Sequence, residues 1–131
     1  MEFVNAANVV NGFLRPLFPG VRFVTTIPDA RPDRFVRTIR TGGFRRDSVT
    51  DVARLTFECW NTDKVEAERD AQKLRVALDS LPGKTLDGGK IHKVNEVAAP
   101  SDSPDSQTGH PRYVESFELH IRGTQRKAND G

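Results

Sequence analysis

With 131 residues, a formal charge of +2, 36% hydrophobic and 29% charged residues, the chain has the size and composition of one soluble domain with its own core. The charge is too small to mark a nucleic-acid binder by itself. Cys59 is the only cysteine, which excludes an intrachain disulfide and any multi-cysteine metal site. No basic segment followed by an apolar run opens the sequence, and no apolar stretch approaches the ~20 residues of a membrane span. The expectation is a protein made and used in a reducing cytoplasm, or in a particle assembled there, with no membrane partner.

Ala6, Val10, Phe13 and Leu17 recur at helical spacing and predict a short helix over 5–15, weakened by Gly12 and ended or kinked by Pro16. Residues 21–27 alternate Val21, Phe23, Thr25 and Ile27 against Arg22, Val24 and Thr26, a strand pattern. The breaker-rich stretch 28–33 leads to a second strand over 34–41, with Gly42-Gly43 marking its end. Short connections between these strands favour antiparallel neighbours. In the third strand Ala53, Leu55, Phe57 and Cys59 alternate with Arg54, Thr56, Glu58 and Trp60, so one apolar face meets a core and Trp60 lies on the other face. The period then changes. Ala67, Ala71, Leu74, Leu78 and Leu81 form one stripe of an α-helix, with Asp63 and Glu66 placed as a capping box and Leu81-Pro82-Gly83 as its stop. A weaker strand over 90–97 belongs near a sheet edge. The stretch 99–111 has three prolines and almost no apolar residues, and reads as a long mobile loop. Residues 112–123 close the fold as a strand with Tyr113, Phe117, Leu119 and Ile121 on one face. The expected fold is α+β: a mostly antiparallel sheet of about five strands with two helices on one face, one domain over 1–123 and a polar tail over 124–131.

Little in this pattern suggests chemistry. His92, His110 and His120 lack the spacing of a metal site, Gly42-Gly43 and Gly88-Gly89 lack a phosphate-loop pattern, and Cys59 has no basic partner nearby. Neither an enzyme nor a cofactor or metal requirement is expected. Arg31, Arg34, Arg37, Arg40, Arg45 and Arg46 cluster around the second strand, with Arg22 on the strand before. On a strand Arg34 and Arg40 share one face and Arg37 takes the other, so they do not form one basic stripe. Three readings stay open: a solvated face with Asp29, Asp33 and Asp47 as local partners, a subunit interface using arginine forks, or a nucleic-acid surface. Trp60 either caps the core edge or anchors a partner. Ser101, Asp102, Asp105 and His110 lie in the proline-rich stretch and are candidates for an assembly contact.

The segments FPGVRFVTTIPDARPDRFVRTIRTGG, SVTDVARLTFECW with its following helix, and GHPRYVESFELHIRG after a Pro- and Asp-rich stretch resemble the tail terminator proteins of long-tailed bacteriophages, especially actinobacterial siphophages. The similarity spans about residues 10–123 and carries no catalytic signature. It implies a virion structural protein at the head-proximal end of the tail. Such proteins form a ring, usually a hexamer, that caps the tail tube, stops its growth and presents a surface to the head-side connector while DNA passes through the lumen. A head-closure or connector protein of the phage neck, and a small nucleic-acid-binding module, are the alternatives.

Overall fold

A computed structural model describes residues 1–124; the rest of the expected polar tail, 125–131, lies outside the described residues. The elements run α1 (Ala6–Leu14), a 3-10 turn (Arg15–Leu17), β1 (Arg22–Val24), β2 (Arg34–Arg45), β3 (Thr50–Asn61), α2 (Lys64–Leu78), β4 (Thr85–Leu86), β5 (Gly89–Asp102) and β6 (Arg112–Arg122). The strands form one six-stranded curled sheet in the order β1-β2-β3-β6-β5-β4. All pairs are antiparallel except β1 with β2. The class is α+β, as the periodicities imply.

Both helices pack on one face of the sheet. Their stripes, Ala6, Val10 and Leu14 on α1 and Ala71, Leu74 and Leu78 on α2, share one core with Ala53, Leu55, Phe57 and Cys59 of β3 and Phe117, Leu119 and Ile121 of β6. Local chemistry sets the helix starts. Asn5 accepts from the Asn8 amide, and Asp63 accepts from the Val65 and Glu66 amides at 2.9 and 3.4 Å. The second half of the expected capping box is made differently: Asn61 Oδ1 accepts from the Asp63 amide, and Glu66 turns outward to Arg69.

Several boundaries differ from those expected. β1 is only three residues long and runs parallel to β2. Its burial of Phe23, edge-on to Phe18 at 5.4 Å, outweighs the short-connection preference for an antiparallel pair. β2 continues through Gly42-Gly43 instead of ending there, with a bulge between Arg40 and Gly42. Both glycines have positive φ, and a Cβ on Gly43 would lie 1.9 Å from the Val52 carbonyl oxygen, so a glycine pair that reads as a stop works here as a bulge. β5 extends to Asp102 and takes in 99–102 of the expected loop. Pro100 is tolerated because β5 has no strand on its outer side at that point. Thr124, assigned to the frayed tail by sequence, pairs its backbone with Glu2 at 2.7 and 2.9 Å.

Candidate functional site

The side chains of the arginine-rich strand β2 alternate between the two faces of the sheet, and its register settles where each guanidinium goes. Arg34 and Arg40 point to the helix side. Arg34 forms a bidentate pair with Asp70 of α2, at 2.8 and 2.5 Å, and Arg40 does the same with Asp51 of β3, at 2.7 and 2.8 Å. Asp70 and Asp51 are buried, and a buried carboxylate held by a fork of this kind is a structural pair whose disruption leaves an uncompensated charge. Arg37 points to the opposite face, where its Nε lies 3.2 Å from Glu58; Arg112 of β6 approaches the same carboxylate at 3.6 Å. Arg46 leans on Asp47 at 3.3 Å, with both side chains half exposed. Arg45, at the exposed end of β2, makes no ion pair among the described residues. Of the three local acids expected to answer the cluster, Asp47 does so; the other partners are Asp70, Glu58 and Asp51. The arginines are thus divided between two faces and mostly neutralised within the fold.

Trp60 is on the face expected of it and is buried there, which fits a cap on the core edge and not an exposed anchor for a partner. The residue is 3% exposed. It stacks on Phe35 with centroids 5.4 Å apart and planes 9° from parallel. The Arg31 and Arg112 guanidiniums sit 4.8 and 5.1 Å from its ring, and its indole N–H donates to Glu58 at 3.2 Å. Trp60, Phe35, Arg31, Arg37, Glu58 and Arg112 therefore form a closed cation–π and ion-pair cluster on the face without helices.

The four loop candidates separate. Ser101 and Asp102 belong to β5, where Asp102 pairs with Lys64 at the start of α2 at 2.7 Å. Asp105 and His110 belong to the hairpin tip between β5 and β6. That tip is a hydrogen-bonded turn, not the open loop expected: the Asp105 amide donates to the His110 carbonyl and the Gly109 amide to the Asp105 carbonyl. Thr108 Oγ1 donates to Asp105 Oδ2 at 2.6 Å and lies 2.7 Å from His110 Nδ1. These bonds hold the Asp105 carboxyl below its ordinary range, the Thr108 hydroxyl contributing most.

The feature that the motif reading passed over is the sheet's pair of open edges. β2 is paired by β1 only at Phe35–Arg37, so its outer edge is uncovered on to Arg45. β5 is paired by β4 only at Gly89 and Lys90, with Ile91 answered by Gly83 and Lys84; beyond that its outer edge is uncovered on to Asp102. Three register irregularities and Pro100 blunt the β5 edge, a recognised way to keep an edge from indiscriminate pairing. The β2 edge has one bulge.

Two polar residues beneath the helix layer also escaped the sequence reading. Glu115 is fully buried between core residues, and neither carboxyl oxygen has a hydrogen-bond partner. Burial is the main cause that raises its pKa to about 8; Glu96 adds to this and Arg75 opposes it. Its signal was present, since it occupies an inward position between Tyr113 and Phe117. Asn11 of α1 accepts from Thr38 at 2.6 Å, inside the core. Cys59 is buried, and burial pushes its thiol well above the ordinary range, so it is not poised as a thiolate. No group of three His, Cys, Asp or Glu among the described residues is placed to hold a metal ion, and no described helix is long and apolar enough to cross a membrane. Compared with models of known protein families the chain matches none, and no curated protein matches it.

Proposed function

We propose that this chain is a structural, non-enzymatic subunit of a phage tail: a tail terminator that assembles into a hexameric ring. The ring caps the tube, stops its polymerisation and offers a surface to the head-side connector, with DNA passing through the lumen without sequence-specific contacts. The subunit would be made in the host cytoplasm and reside in the virion at the head-proximal end of the tail. The observation that carries this reading is the presence of two open edges, β2 and β5, on opposite flanks of one sheet. Different edges on opposite flanks suit a head-to-tail contact, and such a contact closes into a ring when the rotation between subunits allows it. The sequence similarity to tail terminators supplies the biological setting.

The direct test is the mass of the native assembly in the presence and absence of tail tubes built from the neighbouring tube protein. The expected species is about six times the 14.6 kDa chain, seen as a ring at one end of each tube by electron microscopy. Tubes that continue to grow beside a persistently monomeric chain would sink the proposal. Rings that bind the head-side connector but leave tube growth unaffected would favour the head-closure alternative.

A further inference from the structure

The arginines of β2 are mostly answered by acids, but in another set of cations only Arg46 is. The sheet face away from the helices carries, at the end where β3 begins and β6 finishes, two successive cross-strand rows. In one, Lys90 is the register partner of Arg122 and Arg122 of Thr50. Arg46 completes the row through its amide to the Thr50 carbonyl and its guanidinium to Thr50 Oγ1 at 3.3 Å. In the other, Lys93 is the partner of His120, and His120 of Val52, with His92 in the adjoining bulge. Arg46, Lys90, His92, Lys93 and Arg122 are exposed.

Acids near this strip are few and engaged. Glu118 accepts from Arg54 at 3.0 Å, and Asp47 pairs with Arg46. Glu2 and Asp87 gather with Thr124 around a separate hollow at the sheet's margin. Lys90, Lys93 and Arg122 make no ion pair among the described residues. Of the other acids that the strands and α2 hold, Asp51, Asp70, Glu96 and Asp102 are paired on the helix side, and Glu58, on this face but toward the other end of β3, is held by Arg37 and Arg112. The domain is therefore polarised well beyond its net charge of +2. Crowded like charges without counter-charges lower stability. The field is felt inside the strip: burial and then Arg46 and Lys93 depress the pKa of His120, against a weaker opposing pull from Glu118, and its Nδ1 has no partner.

We propose that this strip of the uncovered sheet face binds the phosphate backbone of duplex DNA. From β5 across β6 and β3 to β2 it spans three strand spacings, about 14 Å. A duplex presents about one negative charge per 1.7 Å of axis, so a delocalised polyanion offers at least one phosphate to each cation. A folded protein partner is the poorer fit, because a specific protein interface needs a desolvated apolar centre, and this strip has only Phe44 and the buried Val52 to offer. The inference stands on the charge of this face and does not require the ring.

The test is fluorescence anisotropy of the full chain with a labelled 20-base-pair duplex of mixed sequence, at 50 to 200 mM NaCl. Four phosphate contacts, through Arg46, Lys90, Lys93 and Arg122, give a log–log salt slope of about −3.6 and an affinity loss of about 150-fold over that range. The Lys93→Gln/Arg122→Gln variant should halve the slope and reduce the loss to about 12-fold. The control Arg69→Gln/Lys73→Gln removes the same charge from the exposed side of α2 and should leave the slope unchanged. Equal effects from the two variants, or no binding at 50 mM, would overturn the proposal. So would loss of self-association in the strip variant with DNA binding intact, which would assign the strip to a protein partner. Sedimentation run in parallel keeps the two readings apart: a monomer that binds through the strip removes the ring and leaves this inference standing.

Discussion

Glu115→Gln offers the sharpest test of the fold's internal chemistry. The carboxyl is fully buried under α2 with neither oxygen hydrogen-bonded, and its pKa is about 8 against an ordinary 4.5. The folded value is the higher one, so between those limits the native state holds a proton that the unfolded chain has released. Stability therefore falls as pH rises through this window, and the loss is complete above pH 8. At ~1.36 kcal/mol per pH unit the full loss is about 5 kcal/mol, an upper limit because water entry or local opening relieves part of it. That is a large share of the ~5–15 kcal/mol typical of a domain. Gln keeps the shape of the protonated acid and cannot ionise. Relative to the native chain, the variant should gain about 3–4 kcal/mol between pH 5 and pH 8. It should be slightly less stable at pH 5, where a buried amide replaces a neutral acid, and more stable at pH 8. Urea unfolding at pH 5, 6, 7 and 8 measures this directly. His120, whose folded pKa is depressed, contributes the opposite slope below its ordinary value of 6.5, but it is common to both proteins and cancels in their difference. Parallel curves for the two proteins across the whole range would refute the reasoning.

Arg34→Ala should cost about 3–5 kcal/mol in chemical denaturation, because it strands the buried Asp70 carboxylate. Arg37→Ala should cost less, since Glu58 keeps Arg112 and the Trp60 N–H; equal losses would contradict the two-face assignment. Leu55→Ala and Leu74→Ala, both at 0% exposure, should each lose about 2–5 kcal/mol, and Glu68→Ala on the exposed side of α2 under ~0.5. Gly43→Ala should be far more damaging than Gly42→Ala in a thermal melt, because both have positive φ but only Gly43 meets a backbone oxygen. Replacing 104–110 with a short Gly-Ser turn should preserve the melting temperature, because the Asp102–Lys64 pair and β5 are kept. Under the ring proposal it should impair tail completion, and normal infectious particles from that variant would exclude a role for the tip.

Much of the architecture was legible because it rests on local periodicity. The stripe from Ala67 to Leu81 and the alternation from Ala53 to Cys59 each place every named residue in the core. Both follow from side-chain geometry that needs no knowledge of the partner element. The separation of Arg34 and Arg40 from Arg37 follows from the same period of two. Asp51, Asp70 and Glu115 were legible in position but not in role: each occupies an inward place in its pattern, and only a three-dimensional neighbour tells a paired buried acid from an orphan. Asp70 has Arg34, 36 residues away in sequence; Glu115 has none. Long-range placement also decided that Trp60 is covered by Phe35 and two guanidiniums, because their closeness depends on strand register and not on sequence distance. The glycine pair and Pro100 read as breaks, since local propensity does not report which edge of a strand is free or where two backbones approach. The open edges and the largely unpaired basic strip belong wholly to the tertiary structure. Each is defined by what the neighbouring strands and helices leave uncovered, and no single stretch of sequence carries that information.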